Sequence, residues 1–172
     1  MTNSAELLTE AFGRIRGVVH SALKGADLET LTYRADPQAN TIAWLVWHLT
    51  RVQDDHIADL IDGAQLWTTN GWSERFGLPF EESATGYGQS ADDVAAVRVE
   101  AETLGGYYDA VHERTLGFLG GLTDADLDRV VDEAWDPPVT LGVRLASVLS
   151  DDLQHAGQAS YVRGLATRAA TA

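Results

Sequence analysis

The chain has 172 residues, 45% of them hydrophobic, which suits one domain built around a single sizeable core. It carries 26 acidic and 12 basic residues, a net charge of −14, so it lacks the cationic footprint of a nucleic-acid-binding protein and is not attracted to anionic membranes. Because it has no cysteine, it has no disulfide, no thiolate metal ligand and no cysteine nucleophile.

The sequence also bears on location. No apolar run approaches the roughly 20 residues that span a bilayer. Residues 1–10 are polar and lack the basic start and apolar stretch of a signal peptide. We therefore expect a cytoplasmic protein in which residues 1–172 form a single helical domain.

Periodicity predicts two long helices in the first third of the chain. The first covers Ser4–Leu23, with Ser4 as its cap and apolar residues at helical spacing. The second begins after Asn40 or Thr41 and runs to about Asp62, before Gly63. One face of this second helix carries Ile42, Leu45, Val46, Leu49, Val52 and Leu60.

Residues 63–89 form a long, irregular stretch that contains glycine and proline. Its large side chains are Trp67, Trp72, Phe76, Leu78, Phe80 and Tyr87. A loop of this length in a compact domain is either packed down or functional. We favour a cover over the core, with contact to a substrate as the alternative.

Capping residues and periodicity predict the remaining helices. They cover about residues 91–98, 99–119, 123–131 and 141–165, and Ser90 and Thr140 cap the first and last of them. The pairs Val130-Val131 and Pro138-Val139 are too short to build a sheet. The expected fold class is therefore all-α, a compact bundle with four long helices.

The last helix carries the first candidate chemistry. Asp152 and His155 fall inside its apolar stripe and Asp151 lies on the edge of that stripe. Asp151 and His155 are four residues apart, so both project from one face, and a carboxylate and an imidazole at this spacing can share a divalent metal ion. The alternatives are a solvated acidic pair or ion pairs with Arg144 or Arg163.

A third ligand has to come from another helix. On the second helix, His48 lies at the edge of the apolar face and His56 lies nearer its centre, so the angular position slightly favours His56. A lone histidine on an apolar face is also commonly a core residue. On the third long helix, Tyr107, Tyr108 and His112 line either the core, which we favour, or a pocket.

Other familiar motifs are absent from the sequence. It contains no glycine-rich phosphate loop, no Gly-x-Ser-x-Gly elbow and no His-Glu-x-x-His motif. Phosphate-loop nucleotide binding and these two kinds of hydrolase are therefore not indicated.

Two segments resemble the DinB/YfiT-like superfamily. The stretch Asn-Thr-Ile-Ala-Trp-Leu-Val-Trp-His-Leu, residues 40–49, looks like the second helix of that family. The stretch Asp-Asp-Leu-Gln-His-Ala-Gly-Gln, residues 151–158, resembles its fourth-helix motif, in which a histidine precedes a small residue and Gly-Gln. Residues 71–77 and 85–90 are similar to loops of actinobacterial DinB-type proteins described as mycothiol-dependent transferases.

The resemblance implies a four-helix bundle in up-down-down-up order, a homodimer and a three-ligand metal site. Carried over by position, the metal ligands are His48, Asp151 and His155, so the resemblance replaces His56 by His48. At position 151 many members have histidine, and those resembling mycothiol-dependent maleylpyruvate isomerase have glutamate, which reaches one methylene further than aspartate. Two histidines and a carboxylate suit Zn²⁺, Ni²⁺ or Fe²⁺, and three protein ligands leave coordination positions open, as in catalytic sites.

Three functions are consistent with these residues. The first is a metal-dependent thiol transferase or isomerase acting on a small electrophile, with a low-molecular-weight thiol such as mycothiol as cosubstrate. The second is a non-catalytic metal- or ligand-binding protein of a stress response, and the third is a metal-dependent hydrolase. All three imply a small-molecule partner, and none implies a nucleic acid or a membrane.

Overall fold

The computed structural model describes residues 3–171. The helices in that range are α1 (Ser4–Leu23), α2 (Leu28–Leu31), α3 (Ile42–Leu60), α4 (Leu66–Thr69), α5 (Trp72–Phe76), α6 (Ala91–Ala96), α7 (Ala101–Leu119) and α8 (Leu141–Ala169). A 3-10 helix covers Asp124–Asp128, and two short strands follow it, β1 (Val130–Asp132) and β2 (Val139–Thr140).

Four long helices, α1, α3, α7 and α8, form the bundle. α8 packs against α1 and α3, and α7 packs against the same two helices, so the four helices make a closed ring. α1 and α3 therefore face each other across the ring, and the prediction of an all-α bundle is confirmed. None of the helices in residues 3–171 is both long enough and apolar enough to cross a membrane.

Polar side chains cap three of the four long helices. α1 is capped by Asn3 rather than by Ser4, because the Asn3 side chain accepts from the Glu6 N–H while the Glu6 carboxylate accepts from the Asn3 N–H. Thr41 caps α3 and Thr140 caps α8, each by accepting a backbone N–H with its hydroxyl oxygen. These caps fix where the two helices that carry the candidate site begin.

The region before α8 differs from the sequence-based expectation. Residues 123–131, predicted as a helix, form the 3-10 helix and most of β1. β1 pairs antiparallel with β2 in a two-stranded sheet, with Val130 opposite Thr140, so the prediction that these stretches are too short to build a sheet was wrong. The two-stranded ribbon is stabilised because both of its strands and the 3-10 helix pack against α8.

Residues 63–89, which we call the covering segment, pack down onto the bundle. Trp67 and Phe76 are buried in the core, and the partly buried side chains of Trp72, Leu78 and Phe80 pack against it. Two short helices that were not predicted, α4 and α5, carry Trp67, Trp72 and Phe76. The end of the segment is different, since Tyr87 is 94% exposed. The expectation of a cover over the core therefore applies to most of this segment.

Candidate metal centre

His48, Asp151 and His155 converge between α3 and α8. One potential ligand atom from each residue lies within 4.8 Å of the others. The rings of His48 and His155 have centroids 4.8 Å apart, and His155 Nε2 lies 3.5 Å from Asp151 Oδ1. Because metal–ligand bonds in such sites are about 2 Å long, small side-chain adjustments bring all three donors onto one ion.

His56 lies outside this group. It is two turns further along α3, about 12 Å along the helix axis, where its Nδ1 lies 3.0 Å from Arg144 Nη1. Arg144 also pairs with Asp132 at 2.9 Å, so it is not a partner of Asp151. The preference for His56 rested on its position around the helix axis. That position does not tell which turn of α3 lies opposite Asp151 and His155, because this depends on how α3 packs against α8.

The orientation of His48 is fixed by the end of the covering segment. Its Nδ1 is hydrogen-bonded to the backbone carbonyl of Thr85. A carbonyl oxygen only accepts, so Nδ1 carries the proton and Nε2 keeps its lone pair. The Trp44 ring stacks on one face of the imidazole, with ring centroids 4.6 Å apart and an angle of 13° between the two planes. Burial lowers the pKa of His48, which keeps the ring neutral and able to bind a metal.

The orientation of the His155 ring is fixed by Gln158, a residue of the same helix. Its Nδ1 lies 2.9 Å from Gln158 Oε1, so its Nε2 faces Asp151. The hydrogen bond with Asp151 raises the pKa of His155 above its ordinary value of 6.5. The carboxylate therefore favours a positive charge at Nε2, the position that a metal ion would take. Metal-binding histidines usually have such a second partner on the ring nitrogen that faces away from the ion.

The second oxygen of Asp151 supports the same assignment. Asp151 Oδ2 is enclosed and has no hydrogen-bond partner within residues 3–171. An enclosed carboxylate oxygen without a partner is costly unless it binds a cation or water. The orphaned oxygen and the two imidazole donors therefore fit a divalent metal ion.

The neighbouring Asp152 points away from this centre. It is fully buried, neither of its carboxylate oxygens has a partner in the described part of the chain, and burial raises its pKa well above the usual range. The adjacent acids thus differ in role, because successive residues on a helix face directions 100° apart. Only Asp151 belongs to the candidate site.

The aromatic residues of α7 belong to the core. Tyr107 and Tyr108 are fully buried and His112 is 6% exposed, with the Tyr108 and His112 rings stacked. Tyr107 donates a hydrogen bond to Asp54 Oδ2 at 2.8 Å. The structural interpretation that we favoured for these three residues therefore agrees with their burial.

Sequence reasoning missed the residues that hold the covering segment. Arg51 is fully buried on α3, and its guanidinium donates to the backbone carbonyls of Glu82 and Ala84 and to Gln65 Oε1. Asp54, one turn later and also fully buried, lies 4.0 Å from Arg51 Nη1. The available signal was an arginine and an aspartate at i, i+3 on a helix that is largely apolar before them, where buried charges need partners.

A cleft of about 710 Å³ lies beside the centre. It runs between residues 35–45 and the second half of α8. Among the described residues that line it, Asp36 is the one with a charge, and the amide side chains are those of Gln38, Asn40, Gln154 and Gln158. Gln158 joins the cleft to the candidate centre, because the same side chain contacts His155. The volume suits a small organic molecule.

The fold and the converging side chains define a helical bundle with a candidate metal centre between two of its long helices. A family model described as the DinB superfamily matches residues 11–159, and the chain therefore belongs to that superfamily. It is also similar to a crystal structure described as a conserved protein of locus from Enterococcus faecalis. That likeness has a TM-score of 0.90 and 28% identity and covers 97% of this chain and 99% of the other. Comparison with curated proteins gave no match.

Proposed function

We propose that this protein binds one divalent metal ion through His48, Asp151 and His155 and uses it to react a low-molecular-weight thiol with a small electrophile. The metal site is supported by the convergence of three potential ligand atoms, which lie within 4.8 Å of one another. Both histidines have their Nδ1 atoms engaged elsewhere, so the two Nε2 atoms remain as donors. Two imidazoles and one carboxylate are a donor set for Zn²⁺, Ni²⁺ or Fe²⁺.

Three protein ligands leave coordination positions for a substrate. Such an ion, when bound, supplies a Lewis acid that favours the deprotonated form of a thiol or a water. Because the chain has no cysteine, the sulfur of a thiol reaction must come from a second substrate. The resemblance to mycothiol-dependent proteins supports this class of reaction.

The residues of the chain have separate tasks in this proposal. His48 and His155 are held by Thr85 and Gln158, so they present fixed donors. The Trp44 ring covers one face of His48 and shields it from water. The cleft that includes Gln158 offers a place for an organic molecule beside His155, and its one charged residue among those described, Asp36, disfavours an anion there.

The metal assignment is tested by titration. Protein purified without a tag and stripped with a chelator is titrated with Zn²⁺ and with Ni²⁺, and the bound metal is measured by calorimetry and elemental analysis. We expect one ion per chain, and we expect His48→Ala and His155→Ala to abolish binding. His56→Ala is the matched control, since it removes a histidine of the same helix outside the site, and it should bind as the parent does. Equal loss in all three variants, or no binding by the parent, would contradict the assignment.

The thiol step is tested with Co²⁺ as a spectroscopic probe. Mycothiol or another small thiol is added to the Co²⁺-loaded protein, and a new sulfur-to-cobalt absorption band is expected. A panel of small electrophiles is then assayed for thiol adducts. Metal binding without a thiol band would refute the thiol proposal. Turnover of esters or amides would then identify a hydrolase, and no turnover would identify a binding protein.

A further inference from the structure

The Thr85 carbonyl that orients His48 belongs to residues 82–89, which are hydrogen-bonded to Arg51, His48 and Trp44 of α3. Arg51 donates from Nε to the Ala84 carbonyl at 3.1 Å and from Nη2 to the Glu82 carbonyl at 3.3 Å. The Thr85 carbonyl, next along the chain, accepts from His48 Nδ1. Further along, Gln89 Oε1 accepts from Trp44 Nε1 at 2.7 Å. Residues 82–89 are therefore fastened on both sides of the contact with His48.

Arg51 is itself held in a single position. Its Nη1 donates to Gln65 Oε1 at 2.7 Å, and its guanidinium carbon lies 4.9 Å from the centre of the Trp67 ring. Asp54 supplies the opposite charge at 4.0 Å. A planar guanidinium can grip two carbonyls in fixed directions at once, whereas an ammonium group cannot reproduce this fork.

Gly86 shows how closely the stretch approaches the ring. Its φ of +101° is in the left-handed region. A Cβ added there would lie 2.6 Å from His48 Nδ1 and 3.1 Å from Trp47 Cζ3. Neither ring can give way easily, because Trp47 is 1% exposed and His48 is stacked on Trp44. Any side chain at position 86 must therefore push residues 85–87 away from His48.

We propose that Arg51 is a positioning residue of the metal centre: it holds the Glu82 and Ala84 carbonyls so that the Thr85 carbonyl fixes the proton of His48 on Nδ1 and leaves Nε2 for the ion. This inference rests on the proposed metal site but concerns a residue that cannot touch the ion. Arg51 is fully buried and its donors are directed at the covering segment. Without these hydrogen bonds from Arg51, His48 can rotate or change tautomer, although all three candidate metal ligands are still present.

The inference is tested with Arg51→Lys and Gly86→Ala, which release the same carbonyl in two independent ways. Thr115→Val is the matched control, because it removes a buried hydrogen bond of 2.6 Å from Gln53 at a place away from residues 82–89. Zn²⁺ affinity is measured for all three variants. Nitrogen NMR of the metal-free proteins at alkaline pH reports which nitrogen of His48 is protonated.

In the metal-free parent we expect one His48 tautomer with its proton on Nδ1. In Arg51→Lys and Gly86→Ala we expect a mixture of tautomers and Zn²⁺ affinity about 10–100-fold weaker, the usual effect of losing an outer partner of a ligand. Thr115→Val should keep the parent tautomer and affinity. If Arg51→Lys does not fold, Gly86→Ala still decides whether the Thr85 carbonyl orients His48.

The outcomes separate this inference from the proposed function. Parent affinity and an unchanged His48 tautomer in both test variants would overturn the role of Arg51 while leaving the metal site intact. Equal weakening in Thr115→Val would also overturn it, because general destabilisation would then explain the loss. If the parent binds neither Zn²⁺ nor Ni²⁺, the proposed function fails, and the tautomer measurement on metal-free protein still decides whether Arg51 orients His48.

Discussion

The buried carboxylate of Asp54 allows a quantitative test of how the covering segment is held to the bundle. Asp54 is fully buried and accepts hydrogen bonds from the N–H groups of Leu66 and Trp67, at 3.0 and 2.8 Å, and from the Tyr107 hydroxyl at 2.8 Å. The guanidinium groups of Arg114 and Arg51 lie 3.5 and 4.0 Å from its carboxylate oxygens. One side chain thus ties the start of the covering segment to α3 and α7.

We expect Asp54→Asn to destabilise the protein strongly. Asparagine keeps the shape but removes the charge, and its NH₂ group must face another donor. Removing one partner of a buried ion pair costs about 3–5 kcal/mol, because the other charge is left uncompensated. For a protein of this size each 1 kcal/mol corresponds to about 2–4 °C in Tm, so the melting temperature should fall by roughly 6–20 °C.

Two further variants calibrate this loss. Tyr107→Phe removes one hydrogen bond to the carboxylate and should cost about 1.5–3 kcal/mol. Asp59→Asn, at an exposed position of the same helix, should stay within about 0.5 kcal/mol of the parent. The free energies of unfolding are measured by urea denaturation followed by circular dichroism. A loss below about 1 kcal/mol for Asp54→Asn would refute the view that its charge is an essential partner of Arg51.

Four other predictions can be tested directly. Metal affinity should fall with decreasing pH from above 6.5, because His155 must lose the proton that its raised pKa retains; calorimetric titration between pH 5 and 8 checks this, and constant affinity would contradict it. Asp151→Glu and Asp151→His should keep or strengthen Zn²⁺ binding, as these are the commoner family residues, and weaker binding in both would count against the carboxylate as a ligand. Asp152→Asn should stabilise the protein increasingly as pH rises above 3.8. The raised pKa means that the folded parent holds a proton that the unfolded chain has lost, so the parent loses stability over that pH range; a difference independent of pH in thermal melts would refute this. Finally, we propose a homodimer, and light scattering that shows only monomer at tens of micromolar would exclude it.

The long helices could be predicted from sequence because their signals are local. Ser90 and Thr140 cap α6 and α8 as expected, and the bounds of α1 are the predicted Ser4–Leu23. The helices α4 and α5 were missed because each has five residues or fewer, too few to show a period. The pairing of β1 with β2 was missed for a related reason, since it depends on packing against α8 and not on strand length.

The site was only partly readable from the sequence. The spacing of Asp151 and His155 placed two donors on one face of α8, because both lie on the same helix. The choice between His48 and His56 depends on which turn of α3 packs against Asp151 and His155 of α8. The periodicity of the sequence does not give this information. The family resemblance supplied His48, and the structure places His48 rather than His56 beside the other two.

The arrangement separates the choice of ligands from their orientation. The three candidate ligands lie on α3 and α8, whose positions are set by the core of the bundle. The orientation of His48 is set instead by Thr85, in a stretch that contributes no ligand and that Arg51 holds in place. A substitution at Asp151 therefore changes one donor group, while both histidines keep the partners of their Nδ1 atoms. A substitution in residues 82–89 instead changes the direction of the His48 donor and leaves all three candidate ligands present. Because residues 82–89 lie outside the helices and meet His48 through a backbone carbonyl, a change there redirects one candidate ligand and replaces none of the three side chains.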